Sequence, residues 1–441
     1  MSFRKLFIIC LCVNPWVGAQ EPATNAVRVT PRLIRDLTEE ARTNNASLWA
    51  SRARILAAQE NAKSIPLWRD PEVMAGGMTA EREMRAEDGD LIYGVEQMLP
   101  VFGKEKATRN AARVEIAVEE AGFEDRFQRL HKTLAQALFT AAFSDELLVL
   151  GREDLAWLET LAAVVEQRYQ AGNASQVDFL RVQNERSKRA EQIRSDENNR
   201  HAAYVSVNRL LNRNLLAGWA RMELPAIPGP VPFTDRLLAL ATGLEPKLRM
   251  LRKESERAEA LAELSRKERR PNLSAVAEGR QFSRTGEGRS AEFLLKMSIP
   301  WFNGDKYRAA IRRDQARVQE LENEIEDYTH ELRAEVHHMT ARIDNARREA
   351  LLYRDQIIPR SEQALRSAEA AWKASRDAFR DVLDSRRMLI DAKTMYFRSV
   401  TEQYMAMSEL VLFCGLGDLE ALEMLGRQDH PETSSNAEGL K

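Results

Sequence analysis

The stretch Glu96-Gln97-Met98-Leu99-Pro100-Val101-Phe102-Gly103-Lys104 occurs in two versions in this chain. The second version, about two hundred residues later, reads Lys296-Met297-Ser298-Ile299-Pro300-Trp301-Phe302-Asn303-Gly304-Asp305-Lys306. In each version an alternating, strand-like segment ends at a proline, and an aromatic residue and a glycine lead into a long helical pattern. Proline cannot donate to a sheet ladder and glycine relaxes the backbone, so a strand can end and a helix can begin here. The repetition predicts a tandem duplication.

Each of these strand–helix junctions closes a pair of segments whose polar and apolar residues alternate as in a strand. The segments 90–99 and 290–299 have apolar residues at most alternate positions. Their partners, 72–80 and 272–282, come just before them, and a charged or glycine-rich loop separates the members of each pair. Strands of about ten residues are long enough to cross a bilayer when they are tilted. The sequence therefore predicts two membrane-crossing β-hairpins.

Helical patterns fill most of the remaining chain. One helix is predicted before each hairpin, over 31–62 and 233–269, and very long helices are predicted after it. Turn signals at about 169–178 and about 372–384 divide each long stretch into two helices. The prolines from Pro225 onward form a rigid linker. The predicted domains are a signal peptide (1–19), a first repeat (20–224), a linker (225–232), a second repeat (233–415) and a flexible tail (416–441).

Composition and the N-terminus limit the possible functions. The chain has 441 residues, of which 30% are charged, and its net charge of −2 gives no electrostatic footprint for nucleic acid. Arg4 and Lys5, an apolar core and the small residues Val17-Gly18-Ala19 predict a cleavable signal peptide, with Gln20 as the mature start. No later run of about 18 apolar residues predicts a transmembrane helix. An exported chain of this kind is either soluble or crosses a membrane as strands.

Cysteine usage and catalytic motifs point away from an enzyme. Cys10 and Cys12 lie inside the apolar core of the signal, so no lipid anchor is predicted. Only Cys414 remains in the mature chain, which rules out an intrachain disulfide. No nucleophile–base pair, phosphate loop or cysteine cluster occurs in the sequence, so neither catalysis nor a cofactor is predicted.

Two weak metal-binding signals in the sequence also fit purely structural interpretations. His330-Glu331 begins a zincin-like motif, but Ala334 stands where the second histidine is needed, and Glu335 and His338 have no matching cluster elsewhere. Three methionines flank the first hairpin loop and could bind copper(I) or silver(I) transiently, or could be flexible apolar filler. No resident metal site is predicted; the methionines are Met74, Met78 and Met84.

The number of strands predicts oligomerisation. Two hairpins give each chain only four strands, which cannot close a barrel wide enough to conduct a solute. Open sheet edges would leave backbone groups unpaired in hydrocarbon, which is not tolerated. Three copies of four strands would supply twelve.

This layout resembles the outer-membrane efflux protein family typified by TolC, and within it the branch that serves heavy-metal resistance–nodulation–division (RND) pumps. The resemblance covers residues 30–415 and rests on the two junctions and on two helix-tip motifs. The first motif reads Arg168-Tyr169-Gln-Ala-Gly172-Asn-Ala-Ser175-Gln-Val-Asp178-Phe-Leu180. The second reads Ile358-Pro359-Arg-Ser-Glu-Gln-Ala364, followed by Trp372-Lys-Ala-Ser375 and Asp381-Val-Leu383-Asp384-Ser.

The resemblance implies a mostly α-helical homotrimer with a twelve-stranded outer-membrane β-barrel and a periplasmic α-helical barrel. It implies a passive export duct for small molecules or metal ions, fed by an inner-membrane pump of RND type through a periplasmic adaptor (membrane fusion) protein. The adaptor-docking tips would include Tyr169, Gly172, Ser175, Trp372 and Ser375. The periplasmic aperture would include Asp178, Asp381 and Asp384, with Asp377 where TolC carries a basic residue and Arg376 as its substitute.

Other readings stay open from the sequence alone. A soluble periplasmic coiled-coil scaffold or adaptor would use the long helices but would not need the paired ten-residue strands. A duct for type I protein secretion would share the whole channel architecture. The tip aspartates could cap helices or be solvated instead of forming a charged ring at a pore neck.

Overall fold

Two copies of one helix–hairpin–helix–helix unit make up the fold, as a computed structural model shows for residues 26–78, 90–283, 285–374 and 379–428. The first copy contains β1 (Val27–Arg28), α1 (Pro31–Asn44), α2 (Ala46–Ser64), β2 (Glu72–Met78), β3 (Asp90–Leu99), α3 (Lys104–Gln170) and α4 (Gln176–Leu210), followed by β4 (Met222–Glu223). The second contains α5 (Asp235–Leu244), α6 (Pro246–Glu268), β5 (Leu273–Phe282), β6 (Gly288–Met297), α7 (Gly304–Leu352), α8 (Ile358–Lys373) and α9 (Phe379–Phe413), followed by α10 (Leu419–Gln428). The predicted mostly helical fold is confirmed.

The two hairpins form one antiparallel sheet in the order β2-β3-β5-β6. The repeats meet where β3 pairs with β5, with Asp90 opposite Phe282 and Leu99 opposite Leu273. β6 begins two residues before the predicted position because a turn around Gly286, which is left-handed with φ 71°, closes the second hairpin early. In the part of the chain that the structure describes, β2 and β6 each pair on one side only.

The two faces of this sheet differ in polarity. One face carries rows of apolar side chains, and Val73 at 77% exposed and Phe293 at 87% exposed lie in the same row. The opposite face carries charged and polar residues, including Glu96 and Lys296, whose carboxylate oxygen and ammonium nitrogen lie 3.0 Å apart. An exposed apolar face opposite a polar one is the pattern of a membrane barrel wall.

The single helix predicted before each hairpin is in fact two helices. The predicted helices 31–62 and 233–269 are broken at Asn45 and Glu245, which occupy equivalent places in the two repeats. The side chain of each accepts a hydrogen bond from a backbone N–H in the first turn of the following helix. Pro246 adds a second reason, because the residue before a proline is disfavoured in the α conformation.

The C-terminal segment is more ordered than the sequence predicts. The flexible tail expected at 416–441 is wrong for its first part, because α10 packs its buried Leu419 and Leu422 on the main core. Gly415, with φ 58°, ends α9 in a left-handed turn and redirects the chain toward this core. Residues 429–441 lie outside the described residues.

The long helices form the core by packing along their apolar stripes. A window of α3 is, by length and composition, apolar enough to cross a membrane, but 61% of it is buried within the fold. Leu134, Leu138 and Phe139 in this region have almost no exposed surface. The apolar stretch is therefore a core segment of the bundle. A π-helical turn at Tyr353–Ile357 separates α7 from α8 just before Pro359.

A buried carboxylate joins α3 to α4 and to β4. Asp145 is 3% exposed and forms an ion pair with Arg200. The same carboxylate accepts hydrogen bonds from the Tyr204 hydroxyl at 2.5 Å and from the Met222 N–H at 2.8 Å. Tyr204 in turn stacks on Trp219. A buried charge is tolerated only when it is paired and hydrogen-bonded, and Asp145 meets both conditions.

Replacing this carboxylate should destabilise the helical region strongly. We expect Asp145→Ala to lower the free energy of unfolding by about 3–5 kcal/mol, because Arg200 loses its buried partner. The matched control is Glu197→Ala, whose exposed pair with Arg152 joins the same two helices and should contribute no more than about 1 kcal/mol. Urea unfolding followed by tryptophan fluorescence measures both free energies of unfolding. Equal losses in the two variants would show that Asp145 does not stabilise the packing of α3 on α4.

Candidate functional site

The first helix tip is the turn between α3 and α4. Gly172 is left-handed with φ 74°, and the Asn173 N–H donates to the Arg168 carbonyl at 2.7 Å to end α3. Ser175 caps α4, because its hydroxyl oxygen accepts from the Asp178 N–H at 3.1 Å. The Ser175 hydroxyl also donates to the Asp178 carboxylate at 2.7 Å. The predicted turn and cap are confirmed, and Asp178 is held against the start of its own helix.

The second helix tip lies between α8 and α9. Ser375, Arg376 and Asp377 lie outside the described residues, so their predicted roles stay predictions. Trp372 at the end of α8 is 8% exposed, and its ring centroid lies 5.4 Å from that of Phe379 at the start of α9. This aromatic pair joins the two helices beneath the turn.

An arginine links the two tips to each other. The Arg168 guanidinium on α3 lies 4.2 Å from the centroid of the Trp372 ring and donates to the Trp372 carbonyl at 3.4 Å. Tyr169, the next residue, stacks on Phe179 with its centroid 5.6 Å away and is 41% exposed. Trp372 therefore supports the tip from below, whereas Tyr169 is available at the surface.

A buried ion-pair cluster, which we call the Asp154 cluster, ties together the four helices that lead to the tips. The Asp154 carboxylate on α3 has a side chain 5% exposed and lies 2.6 Å from Nε of Arg189 on α4 and 2.7 Å from Nε of Arg386 on α9. The Arg386 guanidinium lies 4.8 Å from the Trp157 ring centroid. The Trp157 indole N–H donates to Glu369 on α8 at 3.2 Å. Breaking the contacts of Arg386 with Asp154 and Trp157 would loosen α9 from α3.

The aperture aspartates of α9 have different electrostatic surroundings. Asp384 lies 3.2 Å from Nε of Arg380 and 3.4 Å from Nη1 of Arg387. Arg387 also lies 2.5 Å from Glu185 on α4; burial raises the pKa of Glu185, but this hydrogen bond helps to bring it below its ordinary value. Asp381 is exposed near the start of α9, and no other described residue forms an ion pair with it.

The two strand–helix junctions use different backbone geometry. Gly103 has φ 69° and forms the N-terminal boundary of α3, with Pro100 and Phe102 half-buried beside it. Gly304 has a helical φ of −55°, because a 3₁₀ turn at Pro300–Asn303 redirects the chain before α7 begins. Glycine's freedom is therefore needed only at the first junction.

Sequence reasoning missed the Asp154 cluster although a signal was present. Asp154 falls on the buried stripe of α3, between Gly151 and Leu158, at a position where the helical spacing calls for an apolar residue. A charge at such a position needs a partner from another helix. The identity of that partner, on α4 and α9, follows only from the packing.

The weak metal signals gain no support. Among the residues that the structure describes, no group of three or more His, Cys, Asp or Glu side chains could hold an ion. His337, beside the earlier candidates, packs edge-on against Phe233, with centroids 5.1 Å apart. Met84 lies outside the described residues.

The duplicated helices, the fused hairpins and the paired tips identify the chain's relatives. The sequence profile of the outer membrane efflux protein family matches residues 37–213 and 237–413, one match in each repeat. The chain belongs to this family. It is an outer-membrane channel of the kind used in tripartite efflux, and both the predicted family and the predicted outer-membrane location are confirmed.

Solved outer-membrane channels share this fold. The structure matches OprN with a TM-score of 0.76 at 16% identity, covering 88% of this chain and 90% of that chain. It matches CusC at 0.75 with 17% identity, covering 88% and 93%, and VceC from Vibrio cholerae at 0.74 with 16% identity, covering 88% and 97%. No curated protein sequence matches significantly. The family match and the exposed apolar strands favour a channel over a soluble scaffold or adaptor.

Removing the carboxylates of α9 should change ion selection at the tips. We expect Asp381→Ala combined with Asp384→Ala to alter single-channel conductance and reduce cation preference in planar bilayers, because a ring of negative charge favours cations. Asp391→Ala, an exposed aspartate two turns further along α9, is the matched control. Conductance and selectivity equal to the wild type would remove both residues from the aperture.

Proposed function

We propose that three copies of this chain form a closed outer-membrane duct that passively exports small molecules or metal ions. The open sheet carries this proposal, because its outer face is apolar and its two edge strands each pair on one side only within the described residues. Hydrocarbon offers no partner to the free N–H and C=O groups of such edges. Pairing β6 of one copy with β2 of the next satisfies them, and three copies of four strands close a twelve-stranded barrel.

The helices extend from one end of this barrel toward the pump. Leu99, Leu273 and Met297 form one row of the sheet, so both junctions lie at the same end. α3 starts at this end, and its 67 residues give a length of about 100 Å. A duct of this length supports the proposal of a helical barrel that crosses the periplasm to meet an inner-membrane pump.

The tips are the proposed docking surface for a periplasmic adaptor. Tyr169, Val177 and Leu180 are exposed apolar residues at the first tip. A groove of about 290 Å³ between α4 and α9 adds charges of both signs, including Lys188 and Asp384. An apolar patch beside a charged groove suits an amphipathic helix. The tip motifs resemble those of the heavy-metal RND branch, so we assign an RND-type pump.

We propose that the Asp154 cluster opposes opening of the aperture and so acts as its brake. In a trimer, three copies of Asp381 at one height repel each other and favour opening. The buried carboxylate of Asp154 opposes this movement, because it holds α9 to α3 and α4 through two arginines. The open and closed states would then differ by whether these ion pairs are made.

Removing the central carboxylate should open the tip. We expect Asp154→Ala to increase the resting single-channel conductance severalfold, because two partly buried arginines would then lose their shared counter-charge and repel each other. Glu197→Ala, which removes an exposed pair between α3 and α4, should leave the conductance unchanged. Planar-bilayer recording measures both, and a conductance of Asp154→Ala equal to the wild type would contradict the role of the cluster as a brake.

Cross-linking tests the trimer directly. Val73→Cys on β2, combined in turn with Phe293→Cys, Leu295→Cys or Met297→Cys on β6, should give a disulfide-linked trimer for at least one pair, because neighbouring strands bring Cβ atoms within bonding range. The product is read on a denaturing gel after oxidation in membranes.

The intrachain pair Val95→Cys with Ala277→Cys controls for oxidation. These residues lie opposite each other in β3 and β5, so their disulfide should form without adding mass. Monomers from every β2–β6 pair, with the intrachain disulfide formed, would disprove the closed trimeric barrel.

A further inference from the structure

The apolar outer face of the sheet contains a trough that runs along β5. The outward-facing side chains in the middle of β5 are small, whereas those opposite them on the flanking strands are mostly large. The floor is formed by Ala275, Ala277 and Gly279, and the walls by Tyr93 and Val95 on β3 and by Phe293 and Leu295 on β6. These wall residues are exposed, so the trough faces the surrounding lipid.

The dimensions of the trough fit one extended hydrocarbon chain. The two walls are two strand spacings apart, or about 10 Å between backbones, and the floor from Ala275 to Gly279 rises about 13 Å. A cavity of about 660 Å³ lies over its Gly279 end. The ring of Tyr93 lies directly on Gly279, since a Cβ there would be 2.6 Å from a ring carbon. The Tyr93 ring therefore covers Gly279 and bounds the trough at the end away from the junctions, beside this cavity.

The junction end of the trough leads toward the periplasmic boundary of the membrane. Leu273, the next outward-facing residue of β5 beyond Ala275, lies across this end, and the strand–helix junctions follow. Half of a bilayer's hydrocarbon core is about 15 Å thick, close to the rise of about 13 Å from Leu273 to Ala277. A chain lying in the trough thus belongs to a lipid of the periplasmic leaflet, because a lipid of the opposite leaflet would meet Tyr93 first.

Aromatic and cationic residues mark a headgroup level at the junction end of the trough. Trp301 is exposed just beyond β6, and Phe302 beside it is 82% exposed. Such rings collect at membrane–water interfaces. Arg269 and Arg270, just before β5, are exposed and take part in none of the ion pairs among the described residues. The guanidinium group matches phosphate oxygens in a bidentate geometry.

We propose that the trough and these arginines form a phospholipid site. One acyl chain of a periplasmic-leaflet phospholipid lies along β5, and its phosphate group contacts Arg269 and Arg270. Only the outer-membrane location, which the family establishes, is needed for this site. The trough is complete within one chain, so a failure of the trimer proposal would leave it intact.

Native mass spectrometry of the purified full chain with added phosphatidylglycerol tests the site. We expect one retained lipid per chain for the wild type. Ala277→Phe, which fills the trough, should remove this lipid. Val73→Phe is the matched control, because Val73, Val95, Ala277 and Phe293 lie in one row and the added ring has the same depth outside the trough.

A second variant, with both changes outside the strands, tests the site without altering the sheet. Arg269→Gln combined with Arg270→Gln lies outside the strands and should weaken lipid retention about tenfold, since each cation near a lipid phosphate contributes modestly. Correct assembly of each variant is checked by heat-modifiable gel mobility. Retention equal to that of the wild type by either Ala277→Phe or the double arginine variant overturns the proposal. Equal loss from the Val73→Phe control also overturns it, because the wild type would then hold annular lipid only.

Discussion

A backbone N–H or C=O group in hydrocarbon must find its partner within the protein, and the arrangement of this chain depends on that constraint. The hairpins of the two repeats pair their backbone N–H and C=O groups with each other where β3 meets β5. The remaining edges, β2 and β6, are complementary in direction, which is why repeated copies can close a wall. The apolar outer face follows from the same environment, since lipid replaces water on that side only.

Outside the membrane, the structure is stabilised by helix packing and no longer by the pairing of strand backbones. The long helices are highly charged, and their shared core is a narrow stripe. Buried carboxylates supplement that stripe: Asp145 joins α3 to α4 and β4, and Asp154 joins α3 to α4 and α9. Such pairs need precise geometry and lose much of their stability when one partner moves. They suit the proposed duct, whose helices must hold one shape and still separate at the tips.

The two repeats share one architecture but differ in their local conformations. Asn45 and Glu245 both break the helix before a hairpin, yet one is a neutral cap and the other a buried carboxylate next to a proline. Gly103 uses a left-handed conformation where Gly304 is helical. Each repeat thus meets the same geometric requirement with different residues. The requirement is on the path of the backbone, and several local conformations can provide it.

The sequence by itself determined the duplication, the hairpins, the long helices and the turn at Gly172 with its Ser175 cap. These features rest on periodicity and local backbone preference, which neighbouring residues specify. Only the tertiary structure decided the order of α10 and the partners of Asp154. Each of these depends on contacts between segments far apart in the chain. A single sequence shows that Asp154 needs a partner, but only helix packing determines that Arg189 and Arg386 supply it.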